Sequence, residues 1–186
     1  MRSAECDSVF DVVFWFIDRA LNDGEYLQPQ KLHRMLYLSQ AYFVVLGRGK
    51  VLMPATFIAH DSGPIEPNVF RLFASNDRAY VEHLMAPDTV EHFLDSLWRK
   101  FGHHSAEYLT RMIKSQEPYA EAHANGPRTE ITLTAMARFY GRSRTDSEAR
   151  IDGVPNARMV LKPRMMRSQT GEPVAVKPWV PGRAPK

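Results

Sequence analysis

The chain of 186 residues has one cysteine, Cys6, so it has no internal disulfide framework, and a reducing compartment is the expected setting. It also lacks a long uncharged apolar run. Val9–Ile17 comes nearest, but Asp11 interrupts it, Asp7 and Asp18 flank it, and it is too short to span a bilayer. No basic start with a small-residue cleavage site accompanies it, so a cytoplasmic protein with no membrane partner is expected. The HExxH, GxSxG, GxGxxG and GxxxxGK[ST] patterns are missing. Gly47-Arg48-Gly49-Lys50 follows a helical pattern instead of opening one, and a helix end offers carbonyls, the wrong polarity for phosphate. Seven histidines remain, yet His103 and His104 are adjacent and point apart on a helix, and His83 and His92 lack the i, i+4 spacing of paired ligands. The reading is a protein with no catalytic residue, metal or cofactor, and not an enzyme.

Aromatic residues are scarce in one region only. Trp179 is the one aromatic after Gly141, while six of the 13 prolines lie there. Charge divides at the same place. Residues 1–140 hold 14 Lys and Arg against 17 Asp and Glu, and residues 141–186 hold 10 against 4. A slightly acidic body, residues 8–141, thus precedes a Pro/Arg/Lys-rich segment, residues 142–186, read as a flexible tail that buries too little apolar surface to offset chain entropy. Within it, Val160-Leu161 and Val174-Ala175-Val176 flank Gln169-Thr170-Gly171-Glu172, the outline of a weak hairpin. Nucleic acid enters as a nonspecific partner of the basic tail.

What is present in the body is helical periodicity. Ser8 with Asp11 makes a capping box ahead of Val9, Phe10, Val13, Phe14, Phe16, Ile17 and Leu21, and Asn22-Asp23-Gly24 closes that helix. Pro29 opens a second helix striped by Leu32, Met35, Leu36, Ser39, Tyr42, Phe43 and Leu46. Thr56–His60 reads as a short strand, Asp61-Ser62-Gly63-Pro64 as a turn, and Pro67 as the start of a helix with Val69, Phe70 and Phe73. Asp88-Thr89-Val90-Glu91 reads as a second capping box leading to Phe101, and Ser105 as the cap of a helix with Leu109, Met112 and Ile113. Pro118 marks a short turn, and Thr132 or Thr134 opens the last core helix, Met136 to Tyr140. The fold expected is mainly α: a compact multi-helix domain with one minor β element and an extended, poorly ordered C-terminal tail.

Three segments, in order, carry a resemblance. Leu27–Gln40 resembles the leucine- and lysine-rich second helix of the Panacea-domain family, the GepA-like and SocA-type antitoxins. Phe57–Ile65 with Val69, Phe70 and Phe73 resembles that family's strand–Gly-Pro–helix segment, and Ile131–Tyr140 its closing segment. The likeness spans roughly residues 8–140. It departs at His33, where the family usually has glutamine, and at Ile113-Lys114 before Pro118-Tyr119, where it usually has Thr-His before Pro-Trp. The resemblance implies an antitoxin that binds its toxin by protein–protein contact. For SocA-type members it further implies a proteolytic adaptor that delivers a clamp-engaging toxin to ClpXP.

Lys31, Arg34 and Gln40, polar on the second helix, and Gly63 and Pro64 of the turn are the toxin-binding candidates, with the three polar side chains expected at the surface. Gly171–Lys177 resembles short apolar-basic peptides that dock on the ClpX unfoldase, which makes Val174, Val176, Lys177 and Trp179 the protease-tethering candidates. The alternative is a DNA-binding or autoregulatory module of a toxin–antitoxin operon, with Lys31, His33 and Arg34 at the start of a recognition helix.

Overall fold

The computed structural model describes residues 3–47, 50–75, 86–161, 165–167 and 173–175. The architecture is mainly α with a short hairpin. Helix α1 spans Val9–Asn22, and both halves of its predicted capping box form: Asp11 N–H donates to Ser8 Oγ, which also accepts from Phe10 N–H, and Ser8 N–H donates to Asp11 Oδ2 at 2.9 Å. Helix α2, Pro29–Leu46, is the axis of the molecule. Its sequence predicts one apolar stripe, yet nearly every residue from Lys31 to Val44 is buried, because α1 and later elements of the chain surround it on every side.

After α2 the chain passes Leu52 and Met53, both fully buried, and pairs with the N-terminal segment through Glu5 N–H to Val51 O and Cys6 N–H to Leu52 O. Strands β1, Ile58–His60, and β2, Gly63–Ile65, then form an antiparallel hairpin with His60 opposite Gly63. Sequence periodicity showed only the first strand; Gly and Pro hid the second. Residues 128–131 flank the other edge of β1, with Ala59 N–H donating to Thr129 O and Ile131 N–H to Phe57 O. Helix α3, Pro67–Ala74, follows. Helices α4, Asp88–Phe101, α5, Ala106–Lys114, α6, Glu117–Ala124, and α7, Leu133–Tyr140, complete the body. Ser105 and Thr132 cap α5 and α7 with their hydroxyls. The capping box expected at Asp88 does not form, since the N-cap is Pro87 and Asp88 is already helical. The turn expected at Pro118 is a helix of eight residues.

The body also extends past Gly141, where the tail was expected to begin. Helix α8 spans Asp146–Ile151 and α9 spans Ala157–Val160. Val154, Ala157 and Val160 join the core, and Tyr42 Oη donates to Pro155 O at 3.1 Å. Asn156 ties the stretch down from both sides of its amide: Oδ1 accepts from Arg144 N–H at 2.8 Å and Nδ2 donates to Arg144 O at 2.7 Å. Three small apolar residues suffice because polar side chains fix the backbone between them. Farther on, β3, Met165–Arg167, pairs antiparallel with β4, Pro173–Ala175. The hairpin therefore exists, with Met165–Arg167 in place of Val160-Leu161 as its first strand. Among the described residues no helix is long and apolar enough to cross a membrane.

Candidate functional site

Arg34 lies on the second turn of α2, 1% exposed, and its guanidinium is turned toward the β1–β2 hairpin. Nη1 donates to Pro64 O at 2.9 Å, Nη2 donates to Ser62 O, and Nε donates to Thr110 Oγ1 of α5 at 2.8 Å. Thr110 Oγ1 in turn donates to Ala106 O at 2.7 Å. Burial pushes the guanidinium down to about 10, which still leaves it charged at neutral pH. The charge is thus held inside by carbonyl and hydroxyl oxygens aimed at it.

Gly63 is required twice. Its φ of +113° lies where side chains are strained, and a Cβ there would stand 2.7 Å from Arg34 Nη2. The glycine leaves room for the guanidinium to approach the hairpin backbone. Arg34, Gly63 and Pro64, three of the toxin-binding candidates, thus come together as one structural unit.

Other donors complete it. Tyr119 Oη of α6 donates to His60 O at 2.5 Å, and Lys114 Nζ of α5 donates to Asp61 O at 2.8 Å. The carbonyls of His60, Asp61, Ser62 and Pro64 are therefore each held by a side chain from another element. Above this frame Asp61 extends its carboxylate outward, 85% exposed, with His123 Nε2 2.9 Å away. His123 holds the Asp61 carboxyl below its ordinary value. Ser62 is exposed, with its hydroxyl 2.9 Å from His60 Nδ1. His123 in turn stacks on Tyr119, the ring centroids 5.5 Å apart.

No family model, no curated protein and no solved structure matches the chain. The site is therefore read from its own geometry.

Lys31 and Gln40 do not join the turn, and the solvent-facing position expected for Lys31, Arg34 and Gln40 is corrected: all three are buried. Lys31 reaches Glu25 and the Gly102 carbonyl at the C-terminal end of α4, with Trp98 5.5 Å beneath it. A cation at that end is favoured by the helix dipole. Gln40 binds the strand-like passage after α2, its Oε1 accepting from Leu52 and Met53 N–H and its Nε2 donating to Met53 O at 3.0 Å. Both residues hold the fold from inside. His33 is buried too and accepts from Glu66 N–H at 3.2 Å. Burial first, then Arg34, pushes its imidazole down to about 4, while burial raises the Glu66 carboxyl, which caps α3 through Val69 N–H. The three side chains that a recognition helix at α2 would offer to base edges are all turned inward.

Lys114, Tyr119 and His123 were missed as site residues. No local signal marks them, because Lys114 and Tyr119 reach the turn only through the packing of α5 and α6 beside it. Val174 lies on β4 opposite Met166, whereas Val176, Lys177 and Trp179 lie outside the described residues. Among the described residues no three His, Cys, Asp or Glu groups stand close enough to hold a metal ion. Cys6 is buried, and its thiol is pushed up to about 12, chiefly by burial, so it stays protonated.

Proposed function

We propose that this chain is an antitoxin-type interaction protein of the cytoplasm. It binds a cognate toxin through the β1–β2 turn, and residues 162–186 act as a tether to the ClpX unfoldase. One observation carries the reading: four carbonyls of an exposed turn are held by Arg34, Lys114 and Tyr119 from three different helices. A turn fixed in this way loses little conformational entropy when a partner docks. The Asp61 carboxylate and the Ser62 hydroxyl stand outward at its tip, as suits contact with another macromolecule, whereas small-molecule sites are concave. The resemblance over residues 8–140 supports the same reading, because the turn is its Gly-Pro segment. The basic composition of residues 162–186 and the likeness of Gly171–Lys177 to ClpX-docking peptides support the tethering half of it.

The test is co-expression with the product of the neighbouring reading frame. Co-purification is expected. Asp61→Arg should weaken the association at least ~10-fold by placing a cation where the partner meets a carboxylate. Deleting residues 162–186 should leave binding intact and stop ClpXP from degrading the partner. Association that ignores Asp61→Arg, or failure to associate at all, contradicts the proposal.

A further inference from the structure

Two histidines meet the tip of the β1–β2 turn, and each contacts a different residue of it. His60 closes β1, half-buried, and its Nδ1 accepts from Ser62 N–H at 3.2 Å, with Ser62 Oγ 2.9 Å away. A ring nitrogen accepts only while it carries no proton, so this contact belongs to the neutral imidazole with its hydrogen on Nε2. His123, in the last turn of α6, places Nε2 2.9 Å from Asp61 Oδ1. That contact is stronger in the opposite form, in which an imidazolium faces the carboxylate. Proton uptake therefore acts on both contacts in opposite senses. It removes the acceptor of Ser62 N–H, and it tightens the hold on Asp61.

The other charged and titratable groups around the tip come from every element packed against it. Arg34 of α2 holds Ser62 O and stays charged, its guanidinium pushed down only to about 10. Lys114 of α5 donates to Asp61 O at 2.8 Å. Tyr119 of α6 stays neutral, because burial first, then the Asp61 charge, raises its phenol. Asp61 stays ionised, its carboxyl held below the ordinary value chiefly by the hydrogen bond with His123. Arg128 and Glu130, both exposed, belong to the segment along the other edge of β1. Carboxylates, lysines and arginines keep their charge over the range in which histidine ordinarily changes its own, which leaves the two imidazoles to respond. The response stays local, since the carbonyls of His60, Asp61, Ser62 and Pro64 are held from three helices.

We propose that the tip is a proton-sensitive switch in which His60 acts on Ser62 and His123 acts on Asp61. In the protonated state His60 Nδ1–H donates to Ser62 Oγ, Ser62 N–H loses its acceptor, and an imidazolium neutralises the Asp61 carboxylate from within the chain. The sensitivity resides in the chain alone. Its consequence for binding rests on the turn being the face that meets a partner: acid then weakens the association, because the charge and the donor pattern offered at the tip both change.

The experiment follows the full chain by NMR, with no partner present, from about pH 7.5 to about pH 5.5, the interval in which histidine ordinarily changes charge. The Ser62 amide signal is expected to move with the His60 ring, and the Asp61 carboxyl carbon with the His123 ring. His60→Gln should hold the Ser62 signal still, and His123→Gln should remove the Asp61 response, since glutamine forms hydrogen bonds but does not titrate. Signals at Ser62 and Asp61 that stay still in the unsubstituted chain, or that move equally in the variants, overturn the proposal. The titration of the unsubstituted chain decides the matter even where a variant fails to fold. With the co-purified partner, affinity should fall about 3-fold over the same interval, the scale of one exposed ion pair. The double variant should abolish that fall, and an equal fall in it overturns the proposal. Absence of any association contradicts the turn as a partner site, and the titration of the chain alone still decides whether the tip is a switch.

Discussion

Arg34 and Gly63 have to be considered as a pair. Gly63→Ala places a Cβ against the guanidinium and forces a residue with a side chain to hold φ near +113°, so it should destabilise the protein by about 2 kcal/mol or more. Thermal unfolding followed by circular dichroism measures this. Arg34→Lys should also destabilise by about 2 kcal/mol, because one ammonium cannot reach Pro64 O, Ser62 O and Thr110 Oγ1 together. Neither burial nor pairing was legible at this scale. Arginine and lysine are the residues most often left in water, so periodicity alone assigns Lys31 and Arg34 to the surface. Only the approach of the hairpin backbone explains why α2 keeps them inside.

His33 belongs to the same scale and gives a pH dependence with a definite sign. Its folded pKa, about 4, lies below the ordinary histidine value of 6.5. The unfolded chain therefore binds the extra proton first, and the stability this residue supports is complete above 6.5 and is lost as the pH falls toward 4. The full loss is about 3 kcal/mol. Glu66 has the opposite sign, since burial raises its carboxyl and the folded state takes up its proton more readily. Comparison with His33→Gln separates the two. Glutamine retains an acceptor for Glu66 N–H but does not titrate, so the stability difference between the proteins should shrink or reverse in the substituted protein's favour as urea denaturation is repeated from pH 7 to 4.5.

At the scale of elements, the N-termini of the helices divide into capped and uncapped. Ser8→Ala should destabilise by about 1 kcal/mol, because it removes the hydroxyl half of a complete capping box. Asp88→Asn should change stability by less than about 0.5 kcal/mol, since Asp88 caps nothing and contributes only its charge to the first turn of α4. Urea denaturation of the two variants side by side compares them. These helices were legible because their signals are local. A hydroxyl or carboxylate ahead of an apolar period marks α1, α5 and α7, and Pro marks α2 and α3. Strand β2 was not legible, because Gly63 and Pro64 are poor strand formers that pair with β1 only where Arg34 and the neighbouring helices hold them. Helices α8 and α9 were hidden for a related reason. Their anchors are Asn156, Tyr42 and Arg144, partners far apart in sequence, and not an apolar stripe.

For the molecule as a whole, the boundary of the folded body decides how it is truncated. A chain stopped at residue 161 should melt close to the full-length protein, whereas one stopped at residue 141 loses Val154, Ala157 and Val160 from the core and uncovers Tyr42 and the flank of α2. That second truncation should destabilise by at least about 3 kcal/mol, on the scale of burying several small apolar side chains. Calorimetry of the two proteins checks it. The division of charge, with an acidic body and a basic end, survives this shift of boundary, because Lys177, Arg183 and Lys186 all lie beyond Leu161. The mainly α architecture was readable from composition and period; the side chains that frame the proposed recognition surface at Gly63 and Pro64 were not, since they come from three helices converging on one turn.

That surface is tested most directly by amide hydrogen exchange on the full chain, alone and with the co-purified product of the neighbouring reading frame. The account predicts new protection concentrated in residues 57–65 and 111–123, where the turn and the helices bearing Lys114, Tyr119 and His123 meet. Protection confined to other faces, with the turn exchanging as it does in the free protein, would contradict it.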